Sequence, residues 1–449
     1  MNYRNILTAL IIILIASGIA YGTTTTWRRS GFTLWGYDID ANGLNVTNAS
    51  YISGDHIGGV IYADQYATIQ DALDASNRTN SYEVYIPSGT YTLTSCLNVP
   101  ENITVRGAGQ TTHIKAKAAG ISLICLENGT AVAENRIYNT ISNIRLTDID
   151  NYGSITGISL GTYTQETMIS QNWFGDNLNK GIDTTTNKKI HIIDNFFGGT
   201  GQNIGTGIKL STTGDIIIIG NDFHEFDYGI SGTTEKTQII GNDFYAGTAL
   251  TSVGINLGTV ASSMQNAEII GNTFNDMGYG IKLLSATSNG TIINGNYFWD
   301  ISKNSMFLRG YSHIITNNYF YNVSNNATGN DAAAIYIDEE GDHIISGNTG
   351  YNYHSLMNYF VIFGSGWAKN STVTLNNIKT FNNGLVSATA SDNNKIFNNF
   401  GSSPFDHGLN VIAPPAFGAG DTYFNTTSNL PCWRNATSWN RYNDSVGGC

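Results

Sequence analysis

A chain of 449 residues is long enough for two or three ordinary domains or one long repetitive one. Only 12% of its residues are charged, 50 are glycine, 6 are proline and 41% are hydrophobic, which excludes a coiled coil or a disordered chain and points to an all-β protein rich in turns. A formal charge of −12 argues against nucleic acid as a partner, and a polyanionic sugar would need bridging cations.

The chain opens MNYRNILTALIIILIASGIAYG, with Arg4 ahead of an apolar run from Ile6 to Ala20 and small residues at Gly18, Ala20 and Gly22. A run of about 15 residues is short for a membrane span and suits the core of a secretory signal. Residues 1–22 are therefore expected to be a cleaved signal or a retained anchor, with any membrane contact confined to them. The body of the chain is expected to be secreted or held at the cell surface. Four cysteines suit that oxidising compartment. Cys96 and Cys125 lie about one repeat apart, Cys432 and Cys449 bracket the tail, and these are the expected pairs.

Residues 23–60 read as an N-terminal arm. YATIQDALDAS (Tyr66–Ser76) then places Ile69, Ala72 and Leu73 on one helical face, and VYIPSGTYTLTS and ITVRGAG follow as strands. GAGQTT at Gly107–Thr112 lacks the lysine of a phosphate-binding loop.

From there a short phrase recurs. IIGNDF stands at Ile218–Phe223 and Ile239–Phe244, and IIGNTF at Ile269–Phe274. Aligned on the asparagine of I-x-N-x-F, rungs fall at Asn172, Asn195, Asn221, Asn242, Asn272, Asn296, Asn318, Asn348 and Asn399, with a weaker one near Asn377. Spacing of roughly 21 to 30 residues is that of a solenoid. Between the rungs sit GISL at Gly157, GIKL at Gly207, GINL at Gly254 and GIKL at Gly280, with SMFL at Ser305 and AIYI at Ala334 in the same place. Alternation of apolar and polar residues in both phrases means strands with one buried face. Coils stacked about 4.8 Å apart bury what one coil cannot, and stacked asparagines can form an amide ladder.

The helix Ile69–Ala75, the strand Val84–Tyr91, Gly107–Gly109 and the N-x-F and G-I-x-L rungs together resemble the pectin-lyase-like superfamily. The resemblance covers about Ala63 to Asn410. It implies a right-handed, single-stranded parallel β-helix over 61–412, capped in front by the helix, with a tail module at 413–449. It also implies a polysaccharide ligand, since the later rungs resemble carbohydrate-binding and sugar-hydrolase repeats. The architecture hosts lyases, hydrolases, epimerases and adhesins alike, so activity must come from the site.

Residues one and three after each asparagine should face outward. The first column reads Trp173, Phe196, Asp222, Asp243, Thr273, Tyr297, Tyr319, Thr349, and the second holds His224, Tyr245, Asn275, Trp299, Tyr321 and Tyr351. Rows of outward aromatics suit the apolar faces of sugar rings, so Trp173, Tyr245, Tyr297, Trp299, Tyr319 and Tyr321 are candidate substrate-binding residues. Asp222 and Asp243 on successive rungs would repel and split their pKa values, which makes them, with His224, a candidate hydrolase centre.

A second constellation joins LRGYSH to YIDEEGDH. Asp338, Glu339, Glu340 and Asp342 crowd one turn and are candidate Ca²⁺ ligands. Arg309 should lie one coil before Asp338. By the superfamily resemblance, an arginine beside a Ca²⁺-neutralised uronate is the base of a lyase, and Arg309 is that candidate here. The competing class is a non-catalytic adhesin or virion receptor-binding spike, trimeric as such spikes tend to be. The tail sequence GDTYFNTTSNLPCW resembles modules that close many viral tail-fibre and secreted β-rich proteins and so favours that alternative, whereas the signal-like N-terminus disfavours a tailspike assembled in the cytoplasm.

Overall fold

The computed structural model describes residues 59–401, apart from 80–81, 127–137, 162–164, 185–187, 199–203, 212–213, 248–249, 259–265, 325–332, 339–340, 353–358, 365–368, 380–385, 388–393 and 398, and three short strands beyond them. The expected signal or anchor, most of the arm, and Cys449 lie outside the described residues. Among the described residues no helix is long and apolar enough to cross a membrane.

The chain divides between Ile86 and Pro87 into two units. In the first, Val60–Tyr62 pairs in parallel with Glu83–Ile86, and the helix Ile69–Thr79 lies between them in sequence. Thr68 caps that helix: its hydroxyl accepts from the Asp71 N–H at 3.1 Å and donates to the Asp71 carboxylate at 2.7 Å. Ile69, Ala72 and Leu73 are buried together, as their spacing requires.

The second unit is a parallel β-solenoid of about ten turns. One coil illustrates the rest. Ile216–Ile219 is its first strand, Asp222–His224 its second and Phe226–Thr233 its third. Each pairs in parallel with its equivalent one coil on, Thr237–Ile240, Asp243–Tyr245 and Val253–Leu257. The third strands of all coils make a twelve-stranded sheet. Cys96 and Cys125 are disulfide-bonded, with Cα atoms 5.9 Å apart, tying the residue ahead of Leu97–Val99 to the neighbouring strand Ser122–Leu126 of that sheet.

Inside, each phrase of the repeat has one job. Phe174, Phe197, Phe223, Phe244, Phe274, Phe298 and Phe320 stack in a single file with centroids 4.6–5.0 Å apart. The glycine of G-I-x-L exists because those rings lie on it. A Cβ at Gly207 would meet the Phe223 ring at 2.7 Å, and one at Gly229 would meet Phe244 at 2.7 Å. In the next coil Gly350 replaces the phenylalanine, and Phe360 fills the space edge-on against Phe320 at 5.3 Å.

The asparagines form a continuous ladder. Each Nδ2 donates to the Oδ1 of the asparagine one coil on, at 2.9–3.1 Å from Asn172 through to Asn399. Each backbone N–H donates to the same oxygen at 2.9–3.0 Å. Nδ2 also reaches a carbonyl one coil back, as from Asn221 to Ile192 at 2.8 Å. The position needs two N–H donors and a doubly accepting oxygen on a short stem, which among side chains is asparagine. One rung differs from expectation. The ladder residue of TVTLNNI is Asn376, and Asn377 faces outward, because the inward place two positions later belongs to Ile378.

In the tail, Thr422–Asn425, Leu430–Arg434 and Trp439–Arg441 form a three-stranded antiparallel sheet.

Candidate functional site

The second strands of the coils are only two to five residues long, and most present a buried phenylalanine flanked by outward positions. Their register is unbroken across the rungs. Trp173, Phe196, Asp222, Asp243, Thr273, Tyr297, Tyr319 and Thr349 succeed one another in one row. His224, Tyr245, Asn275, Trp299, Tyr321 and Tyr351 make the second row, which ends on Lys379. The two outward columns stand as the spacing requires.

Their chemistry falls into two patches. Tyr297 and Tyr319 stack with centroids 5.0 Å apart and planes 4° from parallel. Trp299 meets Tyr297 at 6.1 Å and Tyr321 at 5.6 Å, edge to face in both cases, and Tyr321 stacks on Tyr351 at 6.0 Å. Trp299 is 43% exposed, an unusual state for so large an apolar surface. Two strand spacings away, roughly 10 Å, lie the carboxylates. Trp173 continues the carboxylate patch through Phe196, on which it packs at 4.3 Å beside the Arg145 guanidinium.

Asp222 and Asp243 are register partners, which sets their Cα atoms about 4.8 Å apart. His224 Nε2 is 2.7 Å from Asp222 Oδ1, and its ring lies between Phe196 and Tyr245 at 5.3 and 5.6 Å. The hydrogen bond to Asp222 raises the His224 pKa above its ordinary value. Partial desolvation and then the charge of Asp222 raise that of Asp243. Asp243 remains exposed to solvent, which screens both effects. The pair thus contains one carboxyl that holds its proton to higher pH and one that lies against an imidazole.

Arg309 and Asp338 meet as the alignment of their coils implies, with Nε and Nη2 2.7 and 2.5 Å from Asp338 Oδ2. The Tyr336 hydroxyl donates to the other Asp338 oxygen at 3.1 Å. Glu339 and Glu340 lie outside the described residues, and Asp342 is exposed with a left-handed backbone, φ 62°. Among the described residues no three metal-ligating side chains converge.

A second outward face escaped the sequence reading. The x of each G-I-x-L points away from the core on the twelve-stranded sheet, giving the file Ser159, Asp183, Lys209, Ser231, Asn256, Lys282, Phe307 and Tyr336. Near its end cations and rings interleave. The Lys282 ammonium lies 4.2 Å from the Tyr279 ring and 5.6 Å from Phe307, and that of Lys303 lies 5.0 Å from Tyr279. Phe307 stacks on Tyr336 at 5.3 Å, and Arg309 lies 5.9 Å from Phe307. The lysine repeated in the two GIKL copies was the available signal.

No family model matches the chain, and no curated protein matches it in sequence. Solved structures do match. The A-module of a mannuronan C-5 epimerase from Azotobacter vinelandii superposes with a TM-score of 0.62 at 15% identity, over 75% of this chain and 94% of that one. A PL6-family alginate lyase gives 0.56 at 13% identity, over 84% and 55%. The Dettilon tailspike protein gives 0.54 at 15% identity, over 77% and 69%. The fold is the right-handed parallel β-helix. At such identities the likeness shows the β-helix fold and leaves activity to the residues on its faces.

Proposed function

We propose that this protein binds an extracellular polysaccharide along the two outward rows of its second strands and hydrolyses a glycosidic bond at Asp222 and Asp243. The observation that carries the reading is the set of outward rings in mutual contact, Trp299 exposed and Tyr297, Tyr319 and Tyr321 half-buried, in register with the paired carboxylates. Rings of this kind take the apolar faces of successive sugars, and the flanking Asp, Asn and Thr side chains take their hydroxyls. Asp243, whose pKa is raised, is the general acid. Asp222, beside His224, is the nucleophile, and carboxyls carried side by side on neighbouring strands, rather than splayed apart, would stand at the short separation of a retaining glycosidase. Export of residues 23–449 by the N-terminal segment brings the site to such a substrate.

The test is release of reducing ends from a panel of polysaccharides by the wild-type chain, repeated with Asp222→Asn and Asp243→Asn. Loss in both variants with binding retained supports the assignment. Binding with no release from any polysaccharide removes the enzymatic half and leaves a glycan-binding adhesin, the reading that likeness to a tailspike favours.

A second reading is favoured by the cation–aromatic face. Lys282, Lys303 and Arg309 beside Tyr279 and Phe307 suit a uronate chain, and two of the similar structures are named for mannuronan and alginate. Unsaturated ends released from alginate, dependent on Arg309 and on Ca²⁺, would move the chemistry to that face.

A further inference from the structure

Asp222 and Asp243 stand in the middle of the outward rows, not at one end of the rings. Tyr297 lies two strand spacings beyond Asp243, by way of Thr273. Trp173 lies two spacings before Asp222, by way of Phe196. Each distance is about 10 Å. The rings on the Trp173 side also extend across both rows. On the two coils before His224 its row holds Gly175 and Gly198, and these glycines make room for the rings beside them. A Cβ at Gly175 would meet Trp173 Nε1 at 2.8 Å, and one at Gly198 would meet Phe196 Cζ at 3.1 Å. Half-buried Trp173 and Phe196 therefore lie over the glycine strands, and ring contacts of 4.3, 5.3 and 5.6 Å carry the line on through His224 to Tyr245.

The first row runs on past both sets of rings. Beyond Trp173 come Arg145 and His113, tied to Asp176 at 3.1 Å and to Thr147 at 2.8 Å. Beyond Tyr319 come Thr349 and Asn377. From Trp173 to Tyr319 is six strand spacings, about 29 Å, which a mono- or disaccharide is too short to span. A site that trims chain ends needs rings on one side of the reacting bond only. Rings at equal distances on both sides contribute to binding together only when a longer chain passes over the carboxylates.

We infer, resting on the hydrolase reading above, that the protein is endo-acting: a long polysaccharide lies across both sets of rings and is cut at an internal bond. Asp222 bonds to the anomeric carbon as the bond from that carbon to the leaving oxygen breaks, and Asp243 gives its proton to that oxygen. Water then displaces Asp222 and returns a proton to Asp243. Each cut consumes one water and creates one reducing end, and both fragments remain polymers. Trp173 and Phe196 hold the chain on one side of the cut, and Tyr297, Trp299, Tyr319 and Tyr321 hold it on the other.

The test incubates the full chain with xylan, galactomannan, laminarin, dextran and alginate, and follows polymer length by size-exclusion chromatography alongside reducing ends. The expected result, on a polysaccharide that is cut, is a steep fall in polymer length while few reducing ends have appeared. Trp173→Ala and Trp299→Ala should each raise KM for that polymer by roughly fivefold or more. Trp173→Leu keeps an apolar contact with Phe196 and should show the same rise, and circular dichroism melting shows that each variant is folded. Mono- or disaccharide released from the start, with polymer length maintained, overturns the endo inference and leaves the hydrolase reading standing. So do folded Trp173 variants whose KM equals that of the wild type. Reducing ends from none of these polysaccharides overturn the hydrolase reading, and the endo inference with it.

Discussion

The strands Asp222–His224 and Tyr297–Ile301 are alike on their inner side and unlike on their outer one. Both bury a phenylalanine in the same stack behind a ladder asparagine. Outside, the first presents a carboxylate and an imidazole, and the second a phenol and an indole. The inward identity is imposed by neighbours that are themselves copies of the same rung, so one substitution disturbs two coils. The outward side chains have no such constraint, and their departures from a repeat consensus are where ligand chemistry can reside. Mutations should separate the two sides cleanly.

The largest effects are expected inside. Phe274→Ala should cost roughly 3–5 kcal/mol, because it leaves a gap between two stacked rings and above the glycine strand. Asn242→Ala should cost a comparable amount, on the order of 3 kcal/mol, since it strands buried partners on Asn221, Ile218 and Asn272. Denaturant unfolding followed by circular dichroism measures both.

A second interior effect depends on pH. His313 and His343 stack at 5.1 Å within a separate short ladder, in which His313 N–H donates to His343 Nδ1 and His343 N–H to the Ser371 hydroxyl. Burial pushes His313 down to about 4 and His343 down to about 3. The unfolded chain takes up those protons below about pH 6.5, whereas the folded chain stays neutral until pH 4 or lower. Stability is therefore complete above that pH and falls as pH drops toward 4, by roughly 3 kcal/mol for His313 alone. His343→Asn keeps an acceptor on the ladder, as Asn394 does for Ser371, and should flatten the acid limb of stability against pH.

Smaller effects belong to the outer side. Trp299→Ala should leave folding intact and weaken polysaccharide binding by about 1–2 kcal/mol, roughly five- to thirtyfold. Thr273→Ala, between the two patches, should change stability by less than about 0.5 kcal/mol. An outward substitution that unfolds the chain as Phe274→Ala does would erase the distinction between the two sides.

The interior was legible in the sequence because it repeats. Asn221, Phe223 and Gly229 announce themselves by recurring, and the solenoid, the ladder and both outward columns follow from that recurrence. The Asn376 rung was misplaced by one residue because Ile378 stands where the phenylalanine would have marked the register. The Lys282 cluster passed unnoticed because a lysine inside G-I-x-L reads as a solvated variable position until Tyr279 and Lys303 are seen beside it. Runs such as Ile216–Ile219 hide their outward members, since four isoleucines look like a strand buried on both faces. Pairing of Asp222 with Asp243 was readable from the repeat, but the raised pKa of His224 required knowing that its ring turns back to Asp222.

The most direct measurement is a polysaccharide array probed with the wild-type chain, Trp299→Ala with Tyr321→Ala, and Lys282→Ala. The account predicts binding by the wild type that the aromatic double variant loses and Lys282→Ala keeps. Binding that depends on Lys282 and ignores Trp299 and Tyr321, or no binding by the folded wild type to any glycan, would contradict it.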